Sequence, residues 1–222
     1  MFSRYRMVVS FLPQLRIGHG ASRLPARQPS ATVRPMVPGA LPVGQRWVEK
    51  PVPYDIGPVP DVDLSGFRLR LFGSGERSCE LSWDEVLALP QAEVRADFHC
   101  VTGWSVPDVR WEGVLTQEII RLVRPHPDVT WVIAHGREGY TTNVPYAAFQ
   151  EGRSLLAHRM NGVPLPPEHG FPLRLVIPSL YAWKSAKYLS GLEFLTGLRR
   201  GYWETRGYHD VGNPWRGERY RR

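Results

Sequence analysis

The sequence has little cysteine and no long apolar run, and both absences narrow the classes of function open to it. Its 222 residues include only two cysteines, Cys79 and Cys100, which are too few for a four-thiolate zinc site. The longest apolar stretch near the start, residues 7–13, is much too short to span a bilayer. No internal repeat is visible. We therefore expect no membrane span and a reducing compartment, and we predict a cytoplasmic location, with periplasmic export left open.

Acidic residues are missing from the first 48 positions, which contain seven arginines. Removing these seven from the 28 basic residues leaves 21, which equals the number of acidic residues. The net charge of +7 therefore belongs to one segment, and the rest of the chain gives no reason to expect a nucleic-acid groove. Because the segment is rich in Arg, Pro and Ser and lacks periodicity, we predict a basic flexible arm over residues 1–45 and one folded domain over residues 46–222.

Short strands separated by turns account for most of the remaining pattern. Alternating apolar residues predict strands at 67–71, 94–98 and 173–177. Asn161-Gly162 lies between two apolar runs and predicts a two-residue hairpin. With 21 glycines and 21 prolines, the chain is expected to be an α+β protein with mixed or antiparallel sheets, short helices and many loops.

Two helices are predicted from their start and stop signals. Ser82 and Glu85 form a capping box for a short helix that Pro90 ends. Thr116 is the expected cap of a second helix, whose apolar face lies within residues 119–123.

Cys100 is the first candidate for chemistry because it follows a predicted strand and is flanked by His99 and small polar residues. A thiol in that position is accessible to a soft metal or an electrophile, although a lone cysteine is more often a small apolar core residue. His99 is poorly placed to activate the thiol, because neighbouring residues on a strand point to opposite faces. A metal-free thiol enzyme is therefore kept only as an alternative.

Three cationic side chains form the second candidate group. Arg174 occurs inside an apolar strand, where an inward guanidinium needs an anion or a carboxylate partner. Lys184, Ser185 and Lys187 follow within a short segment whose donors suit a phosphate. Two lysines taken alone are more often part of a solvated face.

Tyr140 opens the segment Tyr140-Thr141-Thr142-Asn143 after a glycine-containing loop. Its hydroxyl can donate a hydrogen bond or a proton to a bound oxyanion. A core aromatic ring with its hydroxyl at the surface is the alternative interpretation.

In this order, the segments resemble the molybdopterin domain of the sulfite oxidase type, over residues from about 47 to about 220. Residues 156–178, which include His169-Gly170-Phe171-Pro172-Leu173-Arg174, are the most specific part of the resemblance. Further matching segments are Asp97-Phe98-His99-Cys100-Val101-Thr102, Tyr140-Thr141-Thr142-Asn143, Trp183-Lys184-Ser185-Ala186-Lys187 and Gly207-Tyr208-His209. The short, single-domain bacterial members without a haem domain are the most similar.

The resemblance implies a role for each matching residue. Cys100 would be the protein thiolate ligand of molybdenum, and Tyr140 would hydrogen-bond the metal-oxo group or the substrate. The implied cofactor is Mo-molybdopterin, which itself performs the oxygen-atom chemistry while the protein binds and orients it. The residues implied in binding it are Tyr54, Asp55, His99, Cys100, His135, His169, Arg174, Lys184, Ser185, Ala186 and Lys187.

One departure from the family pattern bears on the substrate. Sulfite oxidases have a pair of arginines after the ligand cysteine, whereas this chain has Gly103, Trp104 and Ser105. Sulfite and a sulfoxide are therefore both open as substrates, with Arg137 and Arg159 as replacements for the missing charge. No haem or iron-sulfur motif is present, so an external electron carrier is expected. A non-catalytic binding domain of the same fold is a further alternative.

Overall fold

The structure, a computed structural model, describes residues 40–137 and 139–221. Residues 1–39 of the predicted flexible arm lie outside the described residues. The remaining positions of that arm already belong to the fold, because the backbone N–H of Gln45 donates to the carbonyl of Pro42 at 3.1 Å and the first strand begins at Arg46.

Short strands dominate the described residues, as the alternating patterns predict. The strands are β1 (Arg46–Trp47), β2 (Leu69–Gly73), β3 (Cys79–Leu81), β4 (Gln91–His99), β5 (Trp104–Leu115), β6 (Trp131–His135), β7 (Thr141–Pro145), β8 (Leu155–Met160), β9 (Val163–Pro164), β10 (Arg174–Val176) and β11 (Gly191–Leu195). The α-helices are α1 (Trp83–Ala88), α2 (Thr116–Val123), α3 (Tyr146–Phe149) and α4 (Tyr202–Thr205), and short 3-10 turns cover Pro167–His169, Ala182–Lys184 and Pro214–Arg216.

Two mixed sheets are built from these strands. The first has the order β1-β5-β8-β10, with β4 also paired to β5 and β9 to β8, and the second has the order β3-β2-β11-β6-β7. β1 is parallel to β5 and β11 is parallel to β2, whereas the other pairs are antiparallel. The predicted α+β class with mixed sheets, short helices and many loops is confirmed.

The local signals at the two predicted helices have different outcomes. The capping box is present, because the Glu85 N–H donates to the Ser82 hydroxyl at 3.3 Å and the Ser82 N–H donates to the Glu85 carboxylate at 2.8 Å. The predicted cap role of Thr116 is wrong, since it is the first helical residue and Leu115 occupies the cap position. The Thr116 hydroxyl instead donates to the carbonyls of Phe149 and Ser154, because it is buried against that loop.

The predicted hairpin forms at Asn161-Gly162, where both residues have positive φ angles, 52° and 84°. These values match the tight turn that an Asn-Gly pair favours. The hairpin leads directly into the Pro167–His169 turn and β10, so it positions His169 and Arg174.

The core follows from the inward residues of the two sheets. Leu69, Leu71 and Leu156 are fully buried in the larger apolar cluster, and Trp111 is fully buried in a second cluster against which Cys100 packs. None of the helices in the described part of the chain combines the length and apolarity needed to cross a membrane.

Candidate active site

A cavity of about 280 Å³ opens where the loop after β4, the segment 51–58 and the turn Ala182–Lys184 meet. Eight of the sequence-predicted residues line it: Tyr54, Asp55, Cys100, Tyr140, His169, Arg174, Ser185 and Lys187. They come from segments that are far apart in the sequence, so the fold, rather than local spacing, brings them together.

Cys100 stands at the end of β4, in a tight turn that exposes part of its side chain to the cavity. Its N–H donates to the carbonyl of Trp104 at 2.8 Å, and the Gly103 N–H donates to the carbonyl of Cys100 at 3.1 Å. Gly103 has a φ of 98°, a conformation that favours glycine. The Cys100 sulfur lies 3.2 Å from the hydroxyl of Thr102.

A buried hydrogen-bond chain holds the carbonyl of Cys100 from behind. The side-chain amide of Gln45 donates to that carbonyl at 3.0 Å, and the Ser105 hydroxyl donates to the Gln45 amide oxygen at 3.0 Å. Because the Ser105 hydroxyl gives its proton to Gln45, its oxygen accepts from Nδ1 of His99 at 2.7 Å. His99 is therefore part of this support rather than of the cavity wall, and burial lowers its pKa.

The carbonyl of the next residue, Val101, is held from the other end of the described chain. The guanidinium of Arg219 donates to this carbonyl and also to the carbonyl of Gly44 at 3.1 Å. Arg219 thus ties the Cys100 turn to the segment that carries Gln45.

Arg174 is a buried cation in the cavity wall. It donates to the carbonyls of His169 at 2.9 Å and Ser185 at 3.2 Å, but its Nε has no hydrogen-bond partner among the described residues. Its guanidinium carbon lies 5.1 Å from the ring centroid of Phe98 and 5.3 Å from that of Trp111. Burial lowers its pKa to about 10. Among residues 40–137 and 139–221, no carboxylate pairs with it, so the cavity offers an unneutralised charge and a free donor for an anion.

Lys187 adds a second cation to the same end of the cavity. Its Nζ lies 2.5 Å from Oδ1 of Asp55 and donates to the carbonyl of Glu168 at 2.9 Å. The Tyr188 hydroxyl donates to the same carboxylate oxygen of Asp55 at 3.2 Å. Burial lowers the pKa of Lys187, and burial together with the nearby cations lowers that of His169. The neutral form of this imidazole is therefore favoured.

Tyr140 lies in the wall with its hydroxyl engaged. The hydroxyl donates to the carbonyl of Trp183 at 2.5 Å. Burial, and then the charge of Glu204, raise the pKa of Tyr140 well above its ordinary value. The phenol therefore remains protonated, and with its proton given to Trp183 its oxygen is free to accept a hydrogen bond.

Three further residues that the family resemblance implicates in cofactor binding lie outside the cavity. Lys184 is fully buried and its Nζ lies 2.6 Å from Glu204. Nε2 of His135 lies 3.0 Å from the carboxylate of Glu193. Ala186 is buried in the core, and its carbonyl accepts from the N–H of Leu175 at 2.9 Å. Like His99, these residues do not line the cavity.

The sequence patterns did not reveal how many aromatic residues line the cavity. The cavity is lined by Phe98, Trp104, Trp183, Tyr188, Trp203 and Tyr208 in addition to the predicted tyrosines. Cys100, Trp203 and Tyr208 all pack against a buried cluster of Val101, Tyr181 and Trp183. The density of aromatic residues in 202–208 is the one sequence signal that points to this wall.

The two arginines considered as replacements for the missing charge differ in position. Arg137 lines the cavity and donates to the carbonyl of Asp61 at 3.4 Å. Arg159 does not line it and pairs with Glu112 at 3.2 Å.

Cys100 lacks neighbours that would complete a metal site. Within the described ranges, no group of three or more His, Cys, Asp or Glu side chains is arranged to hold a metal ion. A metal at Cys100 would therefore need further ligands from a cofactor.

Comparison with known proteins agrees with this geometry. Residues 56–203, about two thirds of the chain, match the family model described as "Oxidoreductase molybdopterin binding domain". The chain is 44% identical over 158 residues to the uncharacterized oxidoreductase YuiH of Bacillus subtilis, an alignment that covers 71% of this chain and 80% of that protein.

Two larger relatives are more distant. A putative protein-methionine-sulfoxide reductase subunit, YedZ1, of Azospira oryzae is 30% identical over 172 residues, covering 76% of this chain and 65% of that protein. Mitochondrial sulfite oxidase of Mus musculus is 29% identical over 184 residues, covering 68% of this chain and 33% of that enzyme. The chain thus spans only a third of the sulfite oxidase.

A solved structure shows the same fold. The sulfane dehydrogenase SoxCD of Paracoccus pantotrophus superposes with a TM-score of 0.58 at 19% identity, covering 63% of this chain and 40% of that one.

Proposed function

Since the chain belongs to the oxidoreductase molybdopterin-binding domain family, we propose that it catalyses a two-electron oxygen-atom transfer reaction of a small sulfur compound. We propose further that this substrate is a sulfoxide. The observation that carries the choice of substrate is the aromatic wall around Cys100. Reduction of a sulfoxide consumes two electrons and two protons and yields a sulfide and water.

The residues present fit the family's cofactor, Mo-molybdopterin. Arg174 has a buried Nε without a partner and no carboxylate partner among the described residues, and it shares one end of the cavity with Lys187 and the neutral imidazole of His169. This set suits the phosphate of the cofactor. Cys100 supplies the soft thiolate that suits a molybdenum centre. When bound, the cofactor supplies the oxygen-atom and electron chemistry.

The protein's own contribution is to bind, orient and exclude water. The rings of Trp183, Trp203 and Tyr208 surround the Cys100 side of the cavity and keep it apolar. Tyr140 offers an oxygen that can accept a hydrogen bond from a protonated group at the reacting centre. Its raised pKa keeps it from becoming a phenolate that would repel an electron-rich substrate.

The distribution of charge favours a neutral substrate over sulfite. The cations cluster with Arg174 at one end of the cavity, where the cofactor's phosphate would neutralise them. Near Cys100 the wall is mainly aromatic, with Trp104 close to the site where sulfite oxidases have arginine. Arg137 is the one lining cation left for a substrate anion in the described residues. Sulfite, with its charge, would lose hydration there without full compensation.

Electrons must come from a separate redox partner under this proposal. The similarity to a protein named as a reductase subunit supports such an arrangement. The cytoplasmic location stays a prediction.

The test compares two activities of the molybdenum-loaded enzyme: reduction of methionine sulfoxide or dimethyl sulfoxide with a reduced dye, and oxidation of sulfite with ferricyanide. We expect kcat/KM for the better sulfoxide to exceed that for sulfite at least about tenfold, which is about 1.4 kcal/mol of transition-state preference. Faster sulfite oxidation would refute the choice of sulfoxide. Neither activity in fully loaded enzyme would refute oxygen-atom transfer on sulfur.

The alternatives predict other results. A metal-free thiol enzyme would turn over without molybdenum and lose activity on alkylation of Cys100. A non-catalytic binding domain of this fold that has lost the metal would show neither molybdenum nor alkylation-sensitive turnover.

A further inference from the structure

A buried ion pair lies directly behind the aromatic wall. Lys184 and Glu204 are fully buried, and their charged atoms lie 2.6 Å apart. The same Oε1 of Glu204 accepts from the Thr142 hydroxyl at 2.8 Å and from the indole Nε1 of Trp183 at 2.9 Å. Its Oε2 is buried and has no hydrogen-bond partner in the part of the chain that the structure describes. One carboxylate oxygen thus joins the strand β7, the turn Ala182–Lys184 and the helix α4.

Lys184 extends the connection in the opposite direction. Its Nζ also lies within 2.7 and 2.8 Å of the backbone and side-chain oxygens of Asn143, and 2.8 Å from the carbonyl of Asp210. The three N–H groups of the Lys184 ammonium are therefore surrounded by four acceptor oxygens, all from the protein.

The backbone is built to bring Glu204 to this place. Gly201 precedes α4, and a Cβ at that position would collide with the backbone of Thr141 and Thr142 in β7. The missing side chain lets α4 dock on β7, which buries Glu204 and places its neighbour Trp203 in the cavity wall.

Trp183 transmits the connection to the cavity. Its ring stacks on Tyr181 with 5.3 Å between the ring centroids and packs edge-on against Tyr208 with 5.2 Å between the centroids. Its indole N–H donates a hydrogen bond to Glu204. Its carbonyl accepts the hydroxyl of Tyr140. Trp183 therefore makes one hydrogen bond of 2.9 Å from its indole to the buried carboxylate and another of 2.5 Å from the Tyr140 phenol to its backbone carbonyl.

We propose that Glu204 is a positioning residue of the active site. It fixes the ring of Trp183, and the backbone carbonyl of Trp183 in turn orients the Tyr140 hydroxyl. The effect on turnover rests on the proposed function, whereas the effect on the two side chains does not. The charge of Glu204 also contributes to the raised pKa of Tyr140, which agrees with their proximity.

A buried ion pair is by itself weak evidence of a stabilising role. Replacing a buried ion pair by apolar residues of similar volume is often neutral or stabilising, whereas removing one partner leaves an uncompensated buried charge. The double variant Lys184→Met/Glu204→Leu therefore separates the two roles, because it removes the connection to Trp183 without leaving a charge behind.

The experiment uses the full chain in its oxidised, cofactor-loaded form. Nitrogen-15 labelling of tryptophan reports the indole N–H of Trp183, assigned by its loss in Trp183→Phe. Hydrogen exchange of the Tyr140 hydroxyl proton is measured in the same samples, with Tyr140→Phe as assignment control. Glu80→Gln, an exposed carboxylate that pairs with Arg68 at 3.8 Å, is the matched control and is expected to leave both signals unchanged.

In the double variant we expect a folded protein with a lower unfolding temperature, because the Thr142 hydroxyl, the Trp183 N–H and the Asn143 oxygens lose buried partners. We also expect an upfield shift of the Trp183 N–H, hydroxyl exchange at least about tenfold faster at Tyr140, and kcat reduced about tenfold with a smaller change in KM. Wild-type signals in a stable double variant would overturn the proposal. If the double variant does not fold, Trp183→Phe decides, because it leaves the ion pair intact. Unchanged exchange at Tyr140 in that variant would overturn the proposal, and faster exchange would support it. Loss of sulfoxide reduction in the wild type would affect the proposed function but neither of these signals.

Discussion

Replacing Arg174 by methionine should weaken cofactor binding without weakening the fold. Methionine has a similar length and fills the space over Phe98 and Trp111, but it removes the charge and the free Nε donor. The carbonyls of His169 and Ser185 lose their present donors at the same time.

The two sides of this change have different magnitudes. A charge-assisted hydrogen bond to the cofactor's phosphate contributes about 1.5–3 kcal/mol, so affinity should fall about 10- to 150-fold. In the cofactor-free protein, the lowering of the Arg174 pKa to about 10 by burial corresponds to a cost of about 3 kcal/mol for the charged form. Two lost hydrogen bonds offset about 2 kcal/mol of this. The free energy of unfolding of the cofactor-free variant should therefore equal that of the wild type or exceed it by about 1 kcal/mol.

The pH dependence follows with a defined sign. Because the folded-state pKa of Arg174 is depressed, its buried charge lowers the free energy of unfolding of the wild type by the full amount at pH values below about 10. The cost fades as the pH rises from about 10 towards the ordinary value of the group. The variant should therefore lose its advantage in unfolding free energy over that range and become less stable than the wild type, by up to about 2 kcal/mol, once the arginine is neutral.

The assay combines urea unfolding of cofactor-free protein with molybdenum and pterin content after gel filtration. Arg159→Met is the control, because Arg159 pairs with Glu112 outside the cavity, and we expect it to retain the cofactor fully. A variant at Arg174 that keeps its cofactor but is destabilised by more than about 2 kcal/mol would refute the reasoning and make this arginine a structural residue.

Three other predictions follow from the geometry. Cys100→Ser should lose most of its molybdenum by elemental analysis while Cys79→Ser keeps it, and equal metal contents in both would exclude the thiolate ligand. By NMR titration of cofactor-free protein, the pKa of His169 should lie below its ordinary value, because the ring is buried beside two cations. The stability contributed by the neutral ring is therefore lost as the pH falls. An anion bound nearby should raise this pKa, and a raised pKa in the free protein would contradict the prediction. Gly113→Ala should lower the free energy of unfolding by about 2–3 kcal/mol in urea, because its Cβ would meet the backbone of Leu156, and an unchanged midpoint would show that β5 and β8 can separate there without cost.

Much of the fold could be predicted because local patterns and tertiary packing agree. β2 and most of β4 show a period of two in their burial, as their sequences predict, whereas β10 is buried at every position. The capping box at Ser82 and Glu85 also forms as predicted. The longest strand, β5, was not predicted. Pro107 and Asp108 interrupt it, and Asp108 has a φ of 49°, so the segment has the local appearance of a turn. Its strand conformation depends on pairing with β4 and β8.

The cavity was predictable only in part. The family resemblance selected Cys100, Tyr140 and Arg174, and all three line the cavity. Glu204 was missed because nothing in its local sequence marks a carboxylate that becomes fully buried. Its environment arises only when α4 docks on β7, a contact between residues about 60 positions apart.

The supports of the Cys100 turn lie on both sides of the stretch that family comparison recognises. Gln45 precedes residues 56–203 and Arg219 follows them, yet these two side chains hold the carbonyls of Cys100 and Val101. A fragment trimmed to residues 56–203 would keep Cys100, Tyr140 and Arg174 but would lack the two side chains that hold the Cys100 turn in place. The stretch that matches the family model is therefore shorter than the structural unit that positions the Cys100 sulfur.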